Sequence, residues 1–218
     1  MLKSLQKILN EKPDYLMFLL HGYGADGSDL FSLTSFLADL IPGVSFIAPN
    51  APFECPFSTG GRQWFGIDQI NSTYVFEKES PIYKEINESA KILENFIQDQ
   101  KEKYSIDNGK VLLFGFSQGA MMALHLGLRL KPEVACVISF SGALMSIEED
   151  KELSAPPIFL AHGNFDNIVD YNETNKAYEK ISNSNDKVEK FIENGLAHSI
   201  GNEGLTKSIE FIKKIIKY

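Results

Sequence analysis

Five short runs of nearly uninterrupted apolar residues punctuate the chain, at positions 15–20 (YLMFLL), 44–48 (VSFIA), 111–116 (VLLFGF), 134–140 (VACVISF) and 157–161 (PIFLA). A strand of a parallel sheet covered on both faces has no solvent side, so hydrophobicity without alternation predicts buried strands here. A sixth run, 188–192 (VEKFI), alternates apolar and polar residues and predicts an edge strand. Between the runs the period changes. Ile82, Ile86, Ala90, Leu93 and Ile97 recur every three or four residues, with Ser80 as N-cap and Pro81 in the first turn. Leu33, Phe36, Leu37 and Leu40 form a second helical pattern, and Leu205, Ile209, Ile212 and Ile216 a third. Strands alternating with helices predict the α/β class: a mostly parallel central sheet with helices on both faces.

Two stretches fall outside this rhythm. From 51 to 79 the chain carries Phe53, Phe57, Gly60, Gly61, Trp64, Phe65, Tyr74 and Phe76 without clear periodicity. An irregular loop of that length inside a compact domain is uncommon and often functional. The first 14 residues place Leu2, Leu5, Ile8 and Leu9 at a spacing that suits a helix. With no repeat, low-complexity tract or linker, residues 1–218 read as a single domain.

Composition narrows the function classes. A chain of 218 residues with 44% apolar and 23% charged content has the balance of a soluble globular protein. Its net charge of −8 opposes a nucleic-acid groove or a stable hold on anionic lipid, both of which want a basic surface. The lysines of the last helical pattern read as the outer face of a packed helix, with a membrane-surface helix as the alternative. Two cysteines, Cys55 and Cys136, make neither a disulfide framework nor a metal-binding pair, which fits a reducing compartment. The first residues lack a secretory signal, and no apolar run approaches the roughly 18 residues of a membrane span. The expectation is a cytoplasmic protein.

Gly22-Tyr23-Gly24-Ala25-Asp26-Gly27 satisfies G-x-G-x-x-G after the first strand, where a dinucleotide fold would cradle pyrophosphate. That fold also wants an acidic residue at the end of the second strand, and the chain offers Pro49-Asn50; Asp39 lies within a helical pattern. The match therefore reads as incidental.

A second motif carries more. Gly115-Phe116-Ser117-Gln118-Gly119 is G-x-S-x-G in the context of strand, sharp turn, then helix. A serine raised above a sheet on a strained turn needs glycines two residues to either side, where a Cβ would clash. Its hydroxyl needs a base. The chain has four histidines, His21, His125, His162 and His198. In the α/β-hydrolase order of nucleophile, acid, base, Asp166 after the fifth strand is the acid and Asp170 the fallback. Only His198 follows it. Each residue has a plainer reading: Ser117 as an N-cap, Asp166 as an Asx-turn residue, His198 as a solvated loop histidine. The developing oxyanion needs N–H donors, which Gln118 and the glycine loop at Tyr23 would supply from their backbones. His21 at the head of that loop would then be structural.

His21-Gly22-Tyr23-Gly24, the Gly115–Gly119 motif with Ala120, His162-Gly163-x-x-Asp166-x-Ile168-Val169 and Gly195-x-x-His198-Ser199-Ile200 together resemble the phospholipase/carboxylesterase family, which includes the acyl-protein thioesterases. The 48–52 segment (APNAP) and Trp64-Phe65 also match its loop after the second strand. The resemblance runs from about Tyr15 to the C-terminus. It implies an α/β-hydrolase fold and a cofactor-free, metal-free serine hydrolase acting on carboxylic esters or thioesters. Ser117, Asp166 and His198 would be the triad, and Tyr23 and Gln118 the oxyanion hole. Three features depart from the family pattern. Gly66 follows Trp-Phe where aspartate is common, with Asp68 two residues later; Asp170 stands where a proline is common; and the N-terminal segment is too short for the family's full set of antiparallel strands.

Trp64, Phe65, Phe57 and Met121 are the candidate substrate-binding side chains, the aromatics of the 51–79 loop forming either an acyl-binding wall or a cover for the sheet edge. The expected partner is a small-molecule ester or thioester, with a lipid or an acylated protein as wider options and a weak homodimer through the aromatic loop. The alternatives are a lysophospholipase or acyl-protein thioesterase of long acyl chains, and a catalytically silent binding module on the same fold.

Overall fold

The computed structural model describes residues 2–67, 81–145 and 153–216. Ser80, Asp68, Tyr74 and Phe76, which entered the sequence reading, lie outside them. Among the described residues seven strands make one sheet: β1 (Ser4–Lys7), β2 (Tyr15–Leu20), β3 (Val44–Pro49), β6 (Val111–Phe116), β7 (Cys136–Phe140), β8 (Ile158–Gly163) and β9 (Val188–Glu193). Their order is β1-β3-β2-β6-β7-β8-β9. Every pairing from β3 to β9 is parallel, and only β1 runs antiparallel, against β3. A two-residue ladder of β4 (Phe53–Glu54) and β5 (Arg62–Gln63) forms a small hairpin within the aromatic stretch.

The unalternating strands have two buried faces. On β2, Leu16, Phe18 and Leu20 join one core while Met17 and Leu19 join the other. Helices α3 (Pro81–Tyr104), α4 (Gln118–Gly127) and α5 (Asn172–Ser182) close the first core through residues such as Leu93, Met122 and Ile181. Helices α1 (Gly27–Phe31), α2 (Thr34–Leu40) and α6 (Asn202–Ile215) close the second through Leu30, Leu37 and Ile209. The alternating run became β9, at the edge of the sheet, as expected.

The N-terminal expectation is corrected. Residues 4–7 form a strand, not a helix, with Ser4 opposite Pro49 and Lys7 opposite Phe46. The edge of β3 would otherwise leave backbone N–H and C=O groups without strand partners, and pairing with β1 satisfies them. Leu5, a member of the supposed helical stripe, is 42% exposed. One short antiparallel strand is thus present where the family resemblance led us to expect a reduced set.

Candidate active site

Ser117 stands between β6 and α4 with φ +54° and ψ −120°, a backbone conformation that costs a non-glycine residue about 1–3 kcal/mol. The surroundings hold it there. Its N–H donates to Phe140 O at 2.8 Å, and its own carbonyl accepts from Ala120 N at 3.0 Å and Met121 N at 3.1 Å. The glycines have the role the motif demands: a Cβ on Gly119 would lie 1.9 Å from Leu20 O, and one on Gly115 2.3 Å from Gly119 O. The turn can close only where both are absent.

Ser117 occupies the N-cap position of α4, yet its hydroxyl makes no cap bond. It lies 3.0 Å from His198 Nε2 instead. His198 Nδ1 lies 2.6 Å from Asp166 Oδ2, so three residues separated by up to 81 positions form one continuous chain of contacts. The Asp166 side chain is fully buried and that of His198 is 17% exposed. Asp166 Oδ1 accepts from the backbone N–H of Ile168 at 2.8 Å and of Val169 at 2.9 Å. Burial by itself would raise the carboxyl pKa. The bonds from His198, Val169 and Ile168 outweigh burial, and the group sits below its ordinary value of 3.8. The site therefore holds an ionised carboxylate behind the imidazole. Asp170, the fallback acid, accepts instead from Asn172 N at 2.9 Å at the start of α5.

The glycine loop after β2 abuts the serine turn. A Cβ on Gly22 would touch Ser117 Cβ and Phe116 Cδ1, each at 3.4 Å. His21 is fully buried with both ring nitrogens engaged: Nδ1 donates to Gly22 O at 2.8 Å and Nε2 accepts from Ala51 N at 3.0 Å. Burial lowers its pKa below 6.5, so the ring is a neutral brace for the loop. The phosphate-cradle motif is already occupied by the chain's own groups. Asp26 Oδ1 caps Ser28 N at 2.8 Å, and Asn50 Oδ1 takes the N–H of Gly27 at 3.0 Å. Gln118 is the first residue of α4, so its N–H has no acceptor within the helix.

The substrate-binding expectations fare unevenly. Trp64 and Phe65 are corrected: their side chains are 0% and 1% exposed and belong to the first core cluster. The Gln118 side chain draws them in, accepting from Trp64 N at 2.8 Å and donating to Phe65 O at 2.7 Å, while Trp64 Nε1 donates to His21 O at 2.9 Å. A wall of acyl-binding aromatics cannot be made from side chains that face the core. Phe57 is 76% exposed in the turn between β4 and β5, and Met121 is half-buried against the first core. A cleft of about 910 Å³ between Lys3, this hairpin and Asp99 of α3 contains none of Ser117, Asp166 and His198 in its walls.

Three side chains at the site escaped the sequence reading. Phe165 and Ile168 bracket Asp166 and are 69% and 70% exposed. Two large apolar residues in a loop otherwise rich in Asn and Asp were a visible signal. The third, His162, touches Asp166 Oδ2 at 3.0 Å. Its i,i+4 spacing to the aspartate was legible, but strand-end histidines rarely declare their partners.

The phospholipase/carboxylesterase family profile matches residues 8–216. Acyl-protein thioesterase 1 of Candida albicans is 28% identical over 92% of this chain and 92% of its own length. Esterase YpfH of Escherichia coli is 26% identical over 94% and 85%. Among solved structures, esterase PE8 superimposes with a TM-score of 0.82 and 31% identity, covering 99% of this chain and 98% of that one. The chain belongs to the phospholipase/carboxylesterase family, on an α/β-hydrolase fold.

Proposed function

We propose that the protein is a serine carboxylesterase that hydrolyses carboxylic esters or thioesters of small to medium acyl chains through an acyl-enzyme. The unbroken chain of contacts from Ser117 Oγ through His198 to Asp166 carries this reading. His198 Nε2 takes the Ser117 proton as Oγ attacks the acyl carbon, and Asp166 stabilises the imidazolium through Nδ1–H. The carbonyl electron pair moves onto oxygen, where the backbone N–H groups of Tyr23 and Gln118 receive the charge. Collapse breaks the C–O or C–S bond, and His198 returns its proton to the leaving alcohol or thiol. Water then repeats the sequence on the acyl-serine with His198 again as base.

A second reading, a lysophospholipase or acyl-protein thioesterase acting on long acyl chains, is favoured by one observation. Phe165 and Ile168 expose apolar surface directly beside the acid, and an extended chain leaving Ser117 would find it. The substrate would then be lipidic or an acylated protein. A series of p-nitrophenyl esters from acetate to palmitate separates the two: a fall in kcat/KM beyond medium chains supports the first, a continued rise the second. Ser117→Ala is expected to lower kcat by about five to six orders of magnitude and to abolish labelling by a fluorophosphonate probe. Activity that survives this substitution would remove Ser117 as nucleophile. A wild-type protein that neither labels nor turns over would favour a binding module.

A further inference from the structure

The mechanism uses one imidazole, yet two meet at the same carboxylate oxygen. His162, at the carboxyl end of β8, is 2% exposed. Its Nε2 lies 3.0 Å from Asp166 Oδ2 and 3.0 Å from Val169 O, and its Nδ1 lies 2.8 Å from Thr174 Oγ1 on α5. An ionised carboxylate and a backbone carbonyl can only accept, so Nε2 carries the hydrogen. Nδ1 is then bare in the neutral ring and accepts the Thr174 hydroxyl. Burial lowers the pKa of His162, which keeps the ring in that neutral form. The titratable groups acting on it are Asp166, which favours its charge, and His198, which opposes it.

Counting donors gives the consequence. Oδ1 of Asp166 takes two backbone N–H groups, and Oδ2 takes one N–H from each of two histidines. Four donors fill the four lone-pair positions of a carboxylate. Asp166 therefore cannot turn about its last bond without breaking several of them, and His198 faces an oxygen whose charge is already shared. We infer that His162 is a positioning residue for the triad proposed above: it locks Asp166 in register with His198 and tempers its basicity, and Thr174 sets its tautomer. The inference rests on the reading of Ser117, Asp166 and His198 as the reacting set. A histidine that merely fills space between β8 and α5 would stabilise the fold without moving the pH profile of activity.

The test is the pH dependence of kcat/KM on a p-nitrophenyl ester between about pH 5 and 9, across a histidine's titration. Without the His162 donor, Asp166 holds the His198 imidazolium more tightly. His162→Leu is therefore expected to move the acid limb up by about half to one pH unit and to lower kcat about ten- to a hundred-fold, with KM within about twofold. His162→Gln, whose amide N–H can stand in for Nε2–H, is expected to restore the wild-type limb and most of kcat. Thr174→Val is expected to move the limb in the same direction as His162→Leu but less. A His162→Leu protein that loses activity with its limb unmoved, or a glutamine no better than leucine, would overturn the inference. If the leucine variant does not fold, Thr174→Val and the ring ¹⁵N shifts of wild-type His162 decide: Nε2 protonated and Nδ1 bare is expected, and the reverse tautomer overturns it. Failure of the triad reading looks different, because wild-type activity would then persist in Ser117→Ala.

Discussion

Two loops of this molecule open with the same dipeptide at the carboxyl end of a parallel strand. His21-Gly22 follows β2 and His162-Gly163 ends β8, and the two strands lie on either side of the β6–β7 pair that carries Ser117 at its end. Both histidines are buried, and burial lowers both pKa values. Their tautomers are opposite. His21 donates from Nδ1 and accepts at Nε2, while His162 donates from Nε2 and accepts at Nδ1. The first ring braces a loop that abuts the serine turn; the second braces a carboxylate. In the proposed mechanism one loop receives the negative charge of the substrate and the other supports the positive charge of the base. Partners, rather than residue type, set the two roles, and the partners come from other elements: Ala51 for His21, Thr174 for His162.

Of changes within the two loops, breaking the acid loop at its functional atom is expected to have the largest effect. In Asp166→Asn the amide oxygen is claimed by the N–H groups of Ile168 and Val169, which turns the NH2 toward His198 Nδ1, so the imidazole loses both its tautomer and its counter-charge. A fall of about 10⁴ in kcat with little change in KM is expected. A fall of less than tenfold would mean that Asp166 does not act on His198.

The two glycines sharpen the comparison by a smaller amount. A Cβ on Gly163 would lie 2.2 Å from Leu196 O, so the acid loop packs backbone to backbone against the segment that carries His198. The bond from Phe165 N to Leu196 O at 2.9 Å ties the same two segments together. Gly163→Ala must push them apart and is expected to cost about 1–3 kcal/mol of stability, with a parallel loss of kcat as His198 leaves Ser117. A Cβ on Gly22 meets ordinary contacts at 3.4 Å. Gly22→Ala is expected to stay within about 0.5 kcal/mol of wild type in urea unfolding. Equal destabilisation by both would show that the asymmetry between the loops is not steric.

How much of this was legible follows the same division between local and distant causes. The buried strands were readable because a strand covered on both faces must be apolar throughout, and the serine turn because its geometry excludes Cβ atoms at two fixed positions. Strand β1 was not, since it pairs through its backbone and the spacing of Leu2, Leu5, Ile8 and Leu9 says nothing about a backbone partner on β3. Trp64 and Phe65 stayed open between wall and cover for a related reason. An aromatic in an irregular stretch can face either way, and here the choice is made by Gln118, more than 50 residues on, and by the carbonyl of His21. Chain order nominated Ser117, Asp166 and His198, three side chains that the fold brings into contact. The second histidine on the acid was not, because its meaning depends on a threonine of α5 and on the loop carbonyl of Val169.

In the acid limb of stability the two loops are expected to act alike, contributing with the same sign. His21 and His162 have folded pKa values below the ordinary 6.5, so each is neutral in the fold while the unfolded chain takes up a proton. The unfolded state therefore binds more protons as pH falls. The stabilisation is fully present above about pH 6.5 and is lost progressively below it, until the folded pKa is reached. Asp166 adds a second loss of the same sign, only as pH falls through and below its ordinary 3.8. One pH unit below the unfolded value, each histidine accounts for at most about 1.4 kcal/mol. Urea unfolding at pH 7.0 and about 5.5 measures it. His21→Gln and His162→Gln, which preserve polar partners but cannot titrate, are each expected to flatten the slope by one share, and the double variant by both. A wild-type midpoint unchanged between the two pH values would mean that neither ring is held neutral by its loop.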